Sequence, residues 1–126
     1  MTTILLVEDN EMNRDMLSRR LGARGFRVLL APDGETGVSM ARAEHPGVIL
    51  MDMRLPQMDG WKATQILKSG ASTGAIPIIA LTAHAMREDR ERALQAGCDR
   101  YETKPVDFHC LLRTIEEVLS REVAHG

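Results

Sequence analysis

LLVEDN, residues 5–10, sets the question on which the fold turns. An apolar run, TILLV (3–7), stops at two adjacent carboxylates, Glu8 and Asp9. Neighbouring acids repel, and a strand end has no structural need for both. Working outward, similar short apolar runs recur at FRVLLA (26–31), VILM (48–51) and IPIIAL (76–81), with a weaker fifth candidate at DRYET (99–103). Three of them are nearly continuous rather than alternating, the pattern of strands buried on both faces. Helical patterns lie between the runs. Met12, Met16, Leu17 and Leu21 mark a first helix that Gly22 or Gly25 ends. Asp33 caps a second helix running to about Glu44, stopped by HPG; a third runs from Gly60 to about Ser69. A fourth covers Met86 to Ala96 with Gly97 as its stop. The last has the clearest stripe, with Phe108, Leu111, Leu112, Ile115, Val118 and Leu119 behind an Asp107 cap. A strand followed by a helix five times over predicts a parallel sheet with helices on both faces.

Composition narrows the function. A chain of 126 residues is one domain of common size, with no linker, repeat or low-complexity tract. Hydrophobic residues make up 44%, but there are only two Phe, one Tyr and one Trp, so Leu, Ile, Val, Ala and eight Met are left to fill the core. The net charge of -2, with Lys and Arg scattered, argues against nucleic acid and anionic membranes as partners. Cys98 and Cys110 have neither metal spacing nor a disulfide framework and read as free thiols of a reducing compartment. ILLV is too short for a signal peptide, and no run approaches the roughly 18 apolar residues of a membrane span. A cytoplasmic location is expected. SGASTG (69–74) is a polar loop rather than a phosphate loop, because no Gly-Lys-Ser/Thr follows.

In a parallel α/β sheet, ligands bind beyond the C-terminal ends of the strands. The first strand ends in Glu8 and Asp9, the third in Asp52, the fourth in Thr82 and the fifth in Lys104, followed by Pro105. The second ends in Ala31 and Pro32, with nothing reactive. Taken singly, each has a plainer use: Asp52 as a turn cap, Thr82 as packing, Lys104 as a solvated cation, Glu8 and Asp9 as helix-capping charge. Together they place three carboxylates, a hydroxyl and an ammonium on one sheet edge. Three carboxylates in one cleft repel unless a cation sits among them. The oxygen-only donor set suits Mg²⁺. Metal, Lys and Thr together are what a phosphoryl group needs when it passes to a carboxylate.

On LLVEDN, VILMDMRLPQMDGW, PIIALTAHA and YETKP, the chain resembles the receiver domain of two-component response regulators over essentially its whole length, residues 1–126. The resemblance implies a flavodoxin-like fold: a five-stranded parallel sheet of order 2-1-3-4-5 and five helices in a three-layer αβα sandwich. It implies that Asp52 is the phosphoacceptor, taking a phosphoryl group from a histidine kinase or histidine phosphotransfer protein. Mg²⁺, or Mn²⁺, would be held by Asp9, by Glu8 through water, by Asp52 and by the backbone carbonyl of Arg54. Thr82, the amide N–H of Ala83 and Lys104 would bind phosphate. Thr82 and Tyr101 would act as the switch, and the Lys104–Pro105 peptide would be cis. PQMDG (56–60) looks like the loop into the third helix, with Gly60 supplying backbone freedom. Arg54 and His84 sit where residues vary in the family and tune phosphoryl lifetime. Glu102 is polar where apolar residues are common, a mark of a partner-specific surface.

The implied function is a phosphorylation-activated switch, not a classical enzyme, that transfers the phosphoryl group to itself and later sheds it. Its output would pass to a downstream protein through the face formed by the fourth helix, fifth strand and fifth helix, or the group would travel onward in a relay. The chain is expected to end about three turns past Asp107 with no output domain. ALTAHAM also resembles receivers joined to hybrid kinases, so a stand-alone protein and an excised domain both stay open, as does homodimerisation on phosphorylation. Two other readings compete. A haloacid-dehalogenase-type phosphatase also forms an aspartyl phosphate, but needs an Asp where Arg54 stands. A pseudo-receiver scaffold usually lacks one of the acidic residues or the Lys, all present here. His84 reads as an exposed loop residue more readily than as a pH sensor or metal ligand, and His45, His109 and His125 share no ligand spacing.

Overall fold

Apolar runs with no polar side make strands only where both faces are covered. The computed structural model, which describes residues 2–83 and 87–125, builds them that way. Strands β1 (Thr3–Val7), β2 (Arg27–Ala31), β3 (Val48–Asp52), β4 (Ile78–Thr82) and β5 (Arg100–Thr103) form one parallel sheet in the order β2-β1-β3-β4-β5. Helices α1 (Glu11–Ala23), α2 (Gly34–Glu44), α3 (Gly60–Ser69), α4 (Arg87–Ala96) and α5 (Phe108–His125) alternate with them. This is the flavodoxin-like doubly wound order. Every residue of β3 and β4 is buried, as are the last four of β1, whereas the edge strands β2 and β5 are mostly half-buried.

The two sheet faces sort by residue parity, because successive strand side chains point to opposite sides. Leu5, Val7, Ile49, Met51, Ile78 and Ala80 pack with Val38 and Ala41 of α2, Ala63 and Leu67 of α3, and Ala93 of α4. Ile4, Leu6, Val48, Leu50, Ile79 and Leu81 pack with Leu17 and Leu21 of α1 and with Leu111, Ile115 and Val118 of α5. Helix starts follow the expected chemistry. Asp33, Asp59 and Asp107 accept the backbone N–H groups of Thr36, Lys62 and Cys110 at 2.7, 2.9 and 3.2 Å.

The structure departs from expectation in three places. Met12 and Met16 are 81% and 45% exposed, so α1 buries only Leu17 and Leu21. The cause is angular: on a 3.6-residue turn Met16 lies about 100° from Leu17, off the buried stripe. Of the two glycines expected to end α1, Gly22 lies inside it and Gly25, with φ of 91°, follows its end as expected. α5 is longer than expected, 18 residues or about five turns. Gly60 is needed for a close approach rather than for backbone freedom: a Cβ there would overlap the carbonyl of Asp52 and the Cα of Met53. The start of α4 at Met86 lies outside the described residues.

Gly60 thus lets α3 press against the end of β3. Gly60→Ala should cost about 1–3 kcal/mol, the range for forcing atoms into a filled space. Gly22→Ala meets no atom within 4 Å and should stabilise the protein by about 0.5–1 kcal/mol through helix propensity. Urea unfolding midpoints of the two variants should therefore move in opposite directions; a neutral Gly60→Ala would refute the close-approach argument.

Candidate functional site

Register brings the strand ends together. Val7 pairs with Met51, Asp52 with Leu81 and Thr82 with Thr103, so Glu8, Asp52, Thr82 and Lys104 leave one sheet edge at similar height. Glu8 and Asp52 are buried at 1% and 3% exposure, while Asp9 is exposed. One carboxylate oxygen from each of Glu8, Asp9 and Asp52 lies within 4.8 Å of the others. Lys104 Nζ sits between the two buried acids, 3.0 Å from Glu8 Oε1 and 3.1 Å from Asp52 Oδ2. The other oxygen of Asp52 accepts the backbone N–H of Arg54 at 3.0 Å. The Lys104 N–H donates to the Thr82 carbonyl at 2.7 Å, and the Lys104–Pro105 peptide is cis. Thr82 is buried, and Ala83, directly after it, is exposed. Tyr101 is half-buried in β5, with the Arg90 guanidinium 5.0 Å from its ring centre. His84 lies outside the described residues.

Burial is the main force on Glu8. It raises the carboxyl above its usual value, and the Asp52 hydrogen bond and charge add to this, while Lys104 pulls the other way and only partly offsets it. Burial pulls Lys104 down, but its bonds and charge pairing with Glu8 and Asp52 prevail and hold it above the usual lysine range. One ammonium therefore does not satisfy two buried carboxylates and a third beside them. The site accommodates a further cation, and oxygen donors alone fit Mg²⁺. The geometry suits an anionic group brought to Asp52 with positive charge around it.

Sequence reasoning missed two residues of this neighbourhood. Asn13 Nδ2 donates to Glu8 Oε1 at 3.2 Å, and one Arg14 guanidinium nitrogen donates to the carbonyls of Glu8 and Asp9 at 2.9 and 3.0 Å. The available signal was the polar first turn of α1, which an amphipathic-stripe reading discards.

The chain matches the model of the response regulator receiver domain over residues 4–116. It is 37% identical to the polar-differentiation response regulator DivK of Brucella ovis over 117 residues, 93% of this chain and 95% of that one. It is similar to the receiver domain of the sensor histidine kinase PA1611 of Pseudomonas aeruginosa PAO1, which has a magnesium ion coordinated in its active-site cleft. The TM-score is 0.88 and identity 40%, covering 94% of this chain and 98% of that one. It also matches, with TM-score 0.88 and 30% identity over 96% of this chain and 90% of the other, the Saccharomyces cerevisiae co-crystal of the histidine phosphotransfer protein Ypd1 and the receiver domain of its downstream response regulator Ssk1.

Because the folded Glu8 titrates above 4.5, the folded chain holds more proton than the unfolded one between that pH and its folded pKa. Glu8's favourable share of stability is complete below about pH 4.5 and declines as pH rises through the folded value. In EDTA, Glu8→Gln should therefore gain stability over wild type as pH is raised from 4 to 7. At pH 7, millimolar Mg²⁺ should narrow or reverse that gain, since ligand binding to the folded state favours wild type. A difference that ignores both pH and Mg²⁺, measured by urea unfolding, would remove the burial penalty from the account.

Proposed function

We propose that this chain, which belongs to the response regulator receiver domain family, works as a phosphorylation-activated switch with Asp52 as phosphoacceptor. One observation carries the reading. A lysine ammonium bridges two buried carboxylates at 3.0 and 3.1 Å, with a third, exposed carboxylate beside them.

Asp9, Asp52, the Arg54 backbone carbonyl and, through water, Glu8 would hold Mg²⁺, or Mn²⁺ in its place. The ion supplies positive charge that neutralises phosphoryl oxygens. An Asp52 carboxylate oxygen attacks phosphorus. The N–P bond of a donor phosphohistidine breaks, its electron pair returns to the imidazole, and an acyl phosphate forms. Lys104, already in contact with Asp52, turns to a phosphoryl oxygen; the Thr82 hydroxyl and the Ala83 N–H bind the others. The same carboxylate later yields phosphate to water, which makes the chain a self-modifying switch. The phosphorylated state biases Thr82 and Tyr101, and with them the face of α4, β5 and α5.

The donor would be a histidine kinase or a histidine phosphotransfer protein, a partner class supported by the Ypd1–Ssk1 co-crystal. The output would be contact with a downstream protein, and residues 1–126 would act as one receiver unit. The net charge of -2 supports a protein partner rather than nucleic acid. No helix among the described residues is long and apolar enough to cross a membrane, and the free cysteines Cys98 and Cys110 support a cytoplasmic setting.

Intact mass after incubation with acetyl phosphate tests this directly. Wild type should gain one phosphoryl group, only with Mg²⁺, and Asp52→Asn should gain none. Lys104→Ala, in the fraction that circular dichroism shows folded, should gain it about 10²-fold more slowly, the scale for losing one stabilising donor. A full adduct on Asp52→Asn, or on wild type in EDTA, would overturn the assignment.

A further inference from the structure

Glu8 is held from three sides. Lys104 Nζ and Asn13 Nδ2 both donate to Oε1, at 3.0 and 3.2 Å, and the Asn10 N–H reaches Oε2 at 3.4 Å. Lys104 is shared with Asp52, and the proposed chemistry draws it toward a phosphoryl oxygen. Asn13 has no such second duty at the site: it is a neutral donor on the first turn of a helix. Its backbone is fixed in turn, because the Asn10 side chain caps α1 by accepting the Asn13 N–H at 2.9 Å. A neutral donor orients a carboxylate without competing for its charge. An ammonium orients it but also neutralises it, and so opposes the entry of a cation.

Arg14, one residue on, acts through the backbone instead. Its guanidinium nitrogen bonds the main-chain carbonyls of Glu8 and Asp9, at 2.9 and 3.0 Å, rather than their carboxylates. It closes the acidic segment onto α1 and fixes the chain direction at Asp9, whose side chain stands in solvent. Asn13 and Arg14 are half-buried, and neither belongs to the acidic cluster.

We infer that Asn13 and Arg14 are positioning residues for the divalent cation, Asn13 through the Glu8 side chain and Arg14 through the Glu8–Asp9 backbone. This rests on the proposed cation site and adds the residues that set its affinity. Partners that orient the ligands of a metal typically change affinity 10–100-fold when removed.

The test is calorimetric titration of the full chain with MgCl₂, together with the Mg²⁺ dependence of acetyl phosphate labelling. Asn13→Ala should weaken Mg²⁺ binding about tenfold or more. The Mg²⁺ concentration for half-maximal labelling should rise by the same factor, with the rate at saturating Mg²⁺ within about threefold of wild type. Arg14→Ala should act likewise, and Arg14→Lys, which keeps a donor, should recover part of the affinity. Thr73→Ala, which removes a buried hydrogen bond from the Thr73 hydroxyl to the Leu67 carbonyl in the connection before β4, serves as a destabilised control and should bind Mg²⁺ as wild type does. Wild-type affinity in both alanine variants would overturn the inference. So would an equal loss in Thr73→Ala, which would reduce the effect to stability. Wild type that binds no Mg²⁺ would instead sink the cation site itself, whatever the variants do.

Discussion

The ammonium of Lys104, shared between Glu8 and Asp52, is the interaction on which the rest of this structure depends. Two carboxylates at 1% and 3% exposure cannot both stay charged in a poorly solvated place without a partner. The sheet is what makes the place poorly solvated. β3 and β4 are apolar up to their last residues and covered on both sides, so the strands that carry Asp52 and Thr82 deliver them from a dry interior. Lys104 arrives from β5, a neighbour of β4 far away in sequence, and only the parallel order β2-β1-β3-β4-β5 places it there. The fold and the site are one constraint seen from two ends. The cost shows in Glu8, which remains raised despite its lysine.

Much of this was legible in the residues because it is local. Strands buried on both faces announce themselves as unbroken apolar runs, and Asp33 and Asp107 cap their helices through bonds spanning three residues. The site was legible because strand ends in a parallel sheet converge, so residue order alone groups Glu8, Asp9, Asp52, Thr82 and Lys104. What stayed hidden depends on contacts that sequence spacing does not encode. Met12 and Met16 look like core residues until the angular position of Leu17 is known. The need for Gly60 lies in the backbone of Asp52 and Met53, which it touches only after the chain has turned back. Glu102 looks out of place in a strand, yet it accepts the Thr114 hydroxyl of α5 at 2.7 Å.

A second clamp works at the opposite edge of the sheet. Lys68 Nζ bonds the Ile76 carbonyl at 2.7 Å and Asp99 Oδ2 at 2.8 Å, and the same Asp99 oxygen accepts the Ile78 N–H at 2.8 Å. This ties the end of α3 to the starts of β4 and β5. Gly97, with φ of 110°, leaves space for the Lys68 stem that a Cβ would take. The pairing is partly exposed, so its Coulomb energy is modest. Its role is geometric: it fixes where β4 and β5 begin and so where Thr82 and Lys104 end.

That leaves the question of where a change at the site is transmitted. β1 and β3 lie inside the sheet with both faces filled, and a displacement there must repack two cores. β5 is one of the two edge strands: four residues, half-buried throughout, bordered by a groove lined by Arg90, Leu94, Tyr101 and Glu102. Its coupling to the site is direct, through the 2.7 Å bond from the Lys104 N–H to the Thr82 carbonyl. On its outer side Arg90 stacks on Tyr101, Glu102 holds Thr114, and Arg100 pairs with Glu117 at 2.8 Å. These are polar and cation–π contacts, individually weak and exchangeable. Among the described residues, β5 carries these exchangeable contacts and meets the acidic cluster through Lys104, bonded beside Thr82.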